Sequence, residues 1–133
     1  MAGQSRVPIV SDHDIVIARQ MGRELATRLG FSDGDSVLVA TVISELARNI
    51  VLYAGAGEIL IASIEADTRK GIEVVARDQG PGIGDIERAV QQGFSTSRSL
   101  GLGLAGIKRL MDEFEIVSQV GRGTTVTVRK WRR

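Results

Sequence analysis

The chain has no cysteine, which excludes disulfides, thiolate metal sites and a cysteine nucleophile. It also lacks an excess of charge of either sign. Lys and Arg number 17 against 16 Asp and Glu, a formal net charge of +1, so nothing global points to nucleic acid or an anionic membrane surface. Four of the last five residues are basic (Arg129, Lys130, Arg132, Arg133), and a solvated strand end accounts for them better than a binding patch. No basic segment followed by a long apolar run marks the N-terminus, and nowhere do 18 apolar residues run together. Those two absences predict a soluble, cytoplasmic protein. Internal repeats and low-complexity linkers are missing as well.

What is present suits one ordinary domain. The 133 residues are 43% hydrophobic, enough to bury a real core. Val7 to Val10 reads as a short strand, with Pro8 suggesting a sheet edge. Ser11 and Asp14 have capping-box spacing, and Ile15, Ala18, Met21, Leu25 and Leu29 recur at helical intervals until Gly30. Ser32 and Asp35 repeat the cap signal ahead of a second helix from about Asp33 to Ala54, roughly 30 Å long.

After Gly57 the period changes. Glu58 to Glu65 and Gly71 to Arg77 are expected as two strands joined by Ala66 to Lys70. Asp85 to Gln92 has the composition of a short helix, whereas Gly93 to Leu100 lacks periodicity. Leu104, Ile107, Leu110, Met111 and Phe114 mark a last amphipathic helix. Glu115 to Val120 and Thr124 to Trp131 then form a second hairpin around Gly121-Arg122-Gly123. These proportions predict an α+β fold, a two-layer sandwich with helices on one face of a mixed sheet.

The candidate chemistry lies on the second helix and in three glycine clusters. Leu38, Val42, Glu45 and Asn49 recur every three or four residues, so one apolar stripe ends in a carboxylate and a carboxamide. A carboxylate on such a stripe is costly unless something there uses it. The competing reading pairs Glu45 with Arg48 on a solvated face. Asp78-Gln79-Gly80-Pro81-Gly82 follows a strand and could be only a turn. Gly101 to Gly106 fits G-x-G-x-x-G, but a loop containing Ser95, Thr96, Ser97 and Ser99 precedes it where the dinucleotide motif needs a strand. A P-loop would need Lys where Ile107 stands, and a eukaryotic-type protein kinase would need H-R-D and D-F-G elements and a longer chain.

Taken together, Glu45-Leu46-Ala47-Arg48-Asn49, Asp78-Gln79-Gly80-Pro81-Gly82, Gly93-Phe94-Ser95-Thr96-Ser97, Gly101 to Gly106 and Gly123-Thr124-Thr125 resemble the ordered boxes of the GHKL ATPase superfamily. The small size and the segment Gly93 to Phe114 resemble most the stand-alone serine/threonine kinases of bacterial partner switching, those of the stressosome in particular. Arg98 and Ala105 depart from that pattern, near the expected phosphate lid over Gly93 to Leu100.

The resemblance implies a set of roles. Asn49 would bind Mg²⁺, and Asp78 would accept a hydrogen bond from the adenine amino group of ATP, with Thr124 nearby. Gly80 and Gly82 would let backbone approach base and sugar. Ser95, Thr96, Gly101, Leu102, Gly103, Leu104 and Gly106 would surround the phosphates, and Glu45 would orient or deprotonate the attacking hydroxyl. The only histidine, His13, lies in the first turn of the first helix, where a surface role is the plainer one, so a histidine acceptor is not expected. The implied acceptor is a serine or threonine of a STAS-domain partner, and a downstream phosphatase or other regulator is the implied second partner. The alternative is a nucleotide-dependent anti-sigma factor or another non-catalytic interaction module.

Overall fold

A computed structural model of the chain describes residues 4–84 and 103–133. The sheet order is β1-β2-β3-β5-β4, made by Gln4–Ile9 (β1), Gly57–Ala66 (β2), Arg69–Asp78 (β3), Glu113–Gln119 (β4) and Gly123–Trp131 (β5). The helices are Asp12–Arg28 (α1), Asp33–Tyr53 (α2) and Gly103–Leu110 (α3). The two-layer arrangement is the expected one. Every strand pairing among the described residues is antiparallel, however, so the sheet is not mixed. Tight turns reverse the chain within the β2–β3 and β4–β5 hairpins, and the long-range β1–β2 and β3–β5 pairings, which no turn dictates, are antiparallel as well.

Local signals set the helix limits. Asp14 Oδ2 accepts hydrogen bonds from the amides of Val10 (2.9 Å) and Ser11 (3.2 Å), and Ser32 Oγ accepts from Asp35 N at 3.1 Å. These carboxylate and hydroxyl oxygens satisfy amide donors where each helix begins. Pro8 stands in β1, which among the described residues pairs only with β2, so its missing N–H costs no ladder bond toward a further described strand. His13 is exposed in the first turn of α1.

The helix-facing side of the sheet is read across the register. Val7, Ile59, Ala76, Val126 and Ile116 form one row, and Ile61, Val74, Val128 and Phe114 form the next. Against these rows pack Val39, Val42, Ile43, Leu46 and Ile50 of α2, with Ile15, Ala18 and Ala26 of α1. Burying such a Val, Leu or Ile is worth about 1.5–3 kcal/mol, so this shared layer fixes α2 on the sheet. By length and composition α2 could cross a membrane, yet it is the core helix, with ten of its residues buried inside the fold.

Phe114 corrects one expectation. It lies four residues beyond Leu110 and fits the helical pattern, but it also fits the alternation of Phe114 and Ile116. The strand prevails because Phe114 pairs with Val128 and the Asp112 amide donates to the Arg129 carbonyl at 2.9 Å, so α3 ends at Leu110. The basic C-terminal end also differs from the solvated strand end expected of it. Lys130 is buried, and Arg129 bridges Glu73 (2.8 Å) and Glu113 (3.0 Å) across strands.

Candidate active site

The α2 stripe ends as its sequence suggests. Val42 is fully buried, Glu45 is 7% exposed and Asn49 is half-buried. Arg48 Nη1 does contact Glu45 Oε2 at 3.0 Å, so the pair proposed by the competing reading exists. Its setting is different: the carboxylate is inside the protein and the arginine reaches it from a side chain 43% exposed. An ion pair explains how the charge is tolerated, not why it stands on a buried face. No hydrogen bond from a described residue is made to the Asn49 side chain, so its carboxamide oxygen is available to a hard cation.

Asp78 closes β3 beside the C-terminal end of α2. Its Oδ1 accepts from the amides of Gly80 at 2.9 Å and Thr124 at 3.3 Å. Among the described residues nothing donates to Oδ2. Gly57 sits between the two halves of the site: a Cβ there would lie 2.8 Å from Ile50 Cγ2 and 3.1 Å from Asp78 Cβ. The turn of α2 carrying Asn49 and Ile50 therefore meets the end of β3.

The glycines of the Asp78 cluster have structural work of their own. A Cβ on Gly80 would meet Ala54 Cβ at 2.6 Å, which seats this turn on the end of α2. Gly82 has φ +78° and a Cβ there would stand 2.2 Å from the Gln119 carbonyl oxygen. What they approach in the described structure is protein backbone and side chain. Their expected approach to base and sugar would be additional to this steric requirement, which the sequence does not reveal.

Ser118 is the residue that sequence reasoning missed. Its Oγ accepts from the Ile83 amide at 2.8 Å, lies 3.1 Å from the Gly123 carbonyl oxygen, and shares a hydrogen bond with Thr124 Oγ1 at 2.8 Å. With the Gly121 amide donating to the Pro81 carbonyl at 2.8 Å, it ties the Asp78–Ile83 loop to the β4–β5 turn and holds Thr124 beside Asp78. A signal was available. Phe114, Ile116 and Ser118 alternate, so a hydroxyl takes the next place on an apolar stripe.

Gly103 opens α3 with φ +67°, a conformation that favours glycine. Leu104, Gly106 and Ile107 are buried, and Leu104 and Ile107 belong to the core. Leu104 can therefore offer a nucleotide only its backbone. Ser95, Thr96, Gly101 and Leu102, the expected helix over Asp85 to Gln92 and the expected lid over Gly93 to Leu100 lie outside the described residues.

The groups present fit an adenine nucleotide with one divalent ion. Asp78 Oδ2 offers an acceptor beside a glycine turn, and Asn49 offers one neutral oxygen. Comparison with known proteins agrees with that geometry. The histidine kinase-like ATPase domain family matches residues 11–130. The chain belongs to the histidine kinase-like ATPase family. A full-length relative, the serine/threonine-protein kinase RsbT of Bacillus subtilis (strain 168), is 52% identical over 133 residues, covering 100% of both chains. An anti-sigma F factor of Caldanaerobacter subterraneus subsp. tengcongensis is 35% identical over 99 residues, 70% of this chain and 68% of that one. In fold, the chain is similar to a crystal structure of the RsbU and RsbW domains of a Mycobacterium tuberculosis protein, with TM-score 0.64 and 22% identity over 98% of this chain. It spans 33% of that longer chain, and the likeness bears on the fold alone. The full-length likeness places the chain among the serine/threonine kinases of its family.

Proposed function

We propose that the chain transfers the γ-phosphate of ATP to a serine or threonine of a STAS-domain protein in a bacterial stress-signalling, stressosome-type partner switch. The observation that carries this reading is the buried carboxylate of Glu45, one turn before the carboxamide of Asn49, which has no side-chain hydrogen bond among the described residues. A pure binding module needs the nucleotide pocket but not that carboxylate.

Each residue has a role in the transfer. Asp78 accepts from the adenine amino group through Oδ2 while Oδ1 stays on the Gly80 and Thr124 amides. Asn49 would hold Mg²⁺, which would supply neutralisation of phosphate charge when bound. The backbone of Gly103, Leu104 and Gly106, with Gly101, Leu102, Ser95 and Thr96, contacts the phosphates, and Gly80 and Gly82 flank base and sugar. Glu45 takes the proton of the attacking hydroxyl as its oxygen bonds to the γ-phosphorus, the bond to the bridging oxygen breaks, and ADP leaves. The protein otherwise positions the reactants.

Release from the phosphorylated acceptor then frees the kinase for a downstream regulator such as a phosphatase. The partners are proteins, with neither nucleic acid nor membrane among them, in keeping with the net charge of +1 and a cytoplasmic location. The anti-sigma F relatives support a second reading, in which the same nucleotide-bound surface sequesters a target without needing catalysis. The test is to incubate the purified protein with Mg²⁺, γ-labelled ATP and candidate STAS proteins and to locate the label. Label on a STAS serine or threonine is expected. Label on His13, or binding of ATP with no transfer to any acceptor, would overturn the kinase reading.

A further inference from the structure

Along the helix-facing side of β5 the alternating positions are Val126, Val128 and Lys130. A lysine stands where the pattern calls for a third apolar residue. It is 8% exposed, and the phosphoryl-transfer roles above do not use it. Its Nζ donates to the Leu110 carbonyl at 3.1 Å and lies 3.9 Å from Asp112 Oδ1. Asp112 is itself held by the Trp131 amide, which donates to Oδ2 at 2.8 Å, and by the Arg133 guanidinium on Oδ1.

Leu110 is the last residue of α3, and the chain passes through Met111 and Asp112 directly into β4. No glycine stands after Leu110 to end the helix in a left-handed turn, the usual way to satisfy its last carbonyls. The Lys130 ammonium supplies both a hydrogen bond to one of those carbonyls and a positive charge at the negative end of the helix dipole. At its other end the same helix begins with Gly103. α3 has only eight residues, so its tilt and axial position are set by a few anchors: Leu104, Ile107 and the adjoining Met111 in the core, Leu110 packed against it, and Lys130 as the polar anchor on the Leu110 carbonyl.

We propose that Lys130 is a positioning residue for nucleotide binding, fixing α3 from its C-terminal end so that the amides at its N-terminal end meet the phosphates. This rests on the reading of α3 given under Proposed function. The adenine end of the site hangs instead on β3 and the β4–β5 turn, through Asp78, Thr124 and Ser118. Loss of Lys130 should therefore damage recognition of the phosphates and spare recognition of adenosine.

The experiment measures ATP and adenosine affinity by calorimetry for the parent, Lys130→Met and Lys130→Arg. Methionine keeps the length and suits the buried setting, and arginine keeps the charge and the donors. In Lys130→Met, ATP affinity should fall roughly 5- to 30-fold, the scale of a partly buried helix-end charge with its hydrogen bond, with adenosine affinity unchanged. The KM for ATP should rise with kcat near the parent value, and Lys130→Arg should restore most of the loss. Parallel loss for ATP and adenosine, or no loss in a folded Lys130→Met, would overturn the inference. Should Lys130→Met fail to fold, Lys130→Arg decides alone through hydrogen exchange at residues 107–111: parent-like protection with parent-like ATP preference supports it, and lost protection with unchanged ATP preference contradicts it. A parent that binds ATP no more tightly than adenosine would instead refute the underlying reading of α3, which keeps the two failures distinct.

Discussion

Two regions of this kinase hold their polar groups in opposite ways. On the face of the sheet turned away from the helices, Glu58, Glu73 and Glu113 are each tied to an arginine. Glu58 accepts from Arg6 and from Arg77 Nε (2.8 Å), while Arg129 joins Glu73 to Glu113. Glu113 also accepts from the Trp131 indole at 2.7 Å, and Arg69 lies 4.5 Å above that ring. At the other region, Asp78 has one oxygen engaged by the protein and one not, and the Asn49 carboxamide has no protein partner among the described residues. The first arrangement is complete in itself. The second leaves acceptors for a ligand, and on the function proposed above that difference separates groups that shape the fold from groups that do its chemistry.

The comparison breaks most visibly at Glu45, whose pairing with Arg48 gives it a foot in both regions. If its role is chemical, Glu45→Gln should slow single-turnover transfer to the acceptor by about 10²- to 10⁴-fold with ATP affinity nearly unchanged. A parent rate in rapid-quench measurements would return Glu45 to the structural group. Next in size is Asn49→Ala, for which Mg²⁺ should no longer strengthen ATP binding, measured by calorimetry with and without the metal. Equal Mg²⁺ enhancement in variant and parent would show that another group holds the ion.

Gly82→Ala sharpens the comparison from the side of stability. A positive φ and a backbone oxygen in the space of the new Cβ should cost about 1–3 kcal/mol, read as a lower urea midpoint. The smallest effect belongs to the sheet's outer face. The hydrogen bond from Arg6, then that from Arg77, holds the Glu58 carboxyl below the ordinary carboxylate range, and the Trp131 indole followed by Arg129 does the same for Glu113. A depressed folded value means that the stabilisation is fully present above the ordinary carboxylate range and is lost as pH falls through the lowered value. Thermal unfolding of the Glu58→Gln, Glu113→Gln double variant should therefore show a slightly shallower loss of stability in acid than the parent, and the difference should shrink in high salt.

Much of this was legible in the sequence because periodicity reports burial. The stripe from Leu38 through Val42 to Glu45 and Asn49 placed the carboxylate on the inner face, and the cap signals at Ser11 and Ser32 marked where α1 and α2 begin. Pairing partners were not legible. Phe114 suits two periods, and only its neighbour Val128 decides between them. The antiparallel sense of the sheet comes from how β5 meets β3, a contact between residues far apart in the chain. Lys130 was obscured by its company: among three arginines it reads as part of a solvated end, although its alternation with Val126 and Val128 places it inside. For Ser118 the alternation with Phe114 and Ile116 marks the inner face, but a serine in a strand does not show which segments meet at its hydroxyl.

In the proposed site the second oxygen of Asp78 is the acceptor for the adenine amino group, and competition between ATP and inosine triphosphate tests that directly. Inosine triphosphate carries a carbonyl in place of the amino group, so it would set an acceptor against the carboxylate. The parent should prefer ATP by roughly 10- to 100-fold, the scale of a hydrogen bond to a charged group plus the cost of leaving that group unpaired, and Asp78→Asn should lose most of the preference. Equal affinity of the parent for the two nucleotides would contradict the assignment of Asp78 and, with it, the contrast between the two regions.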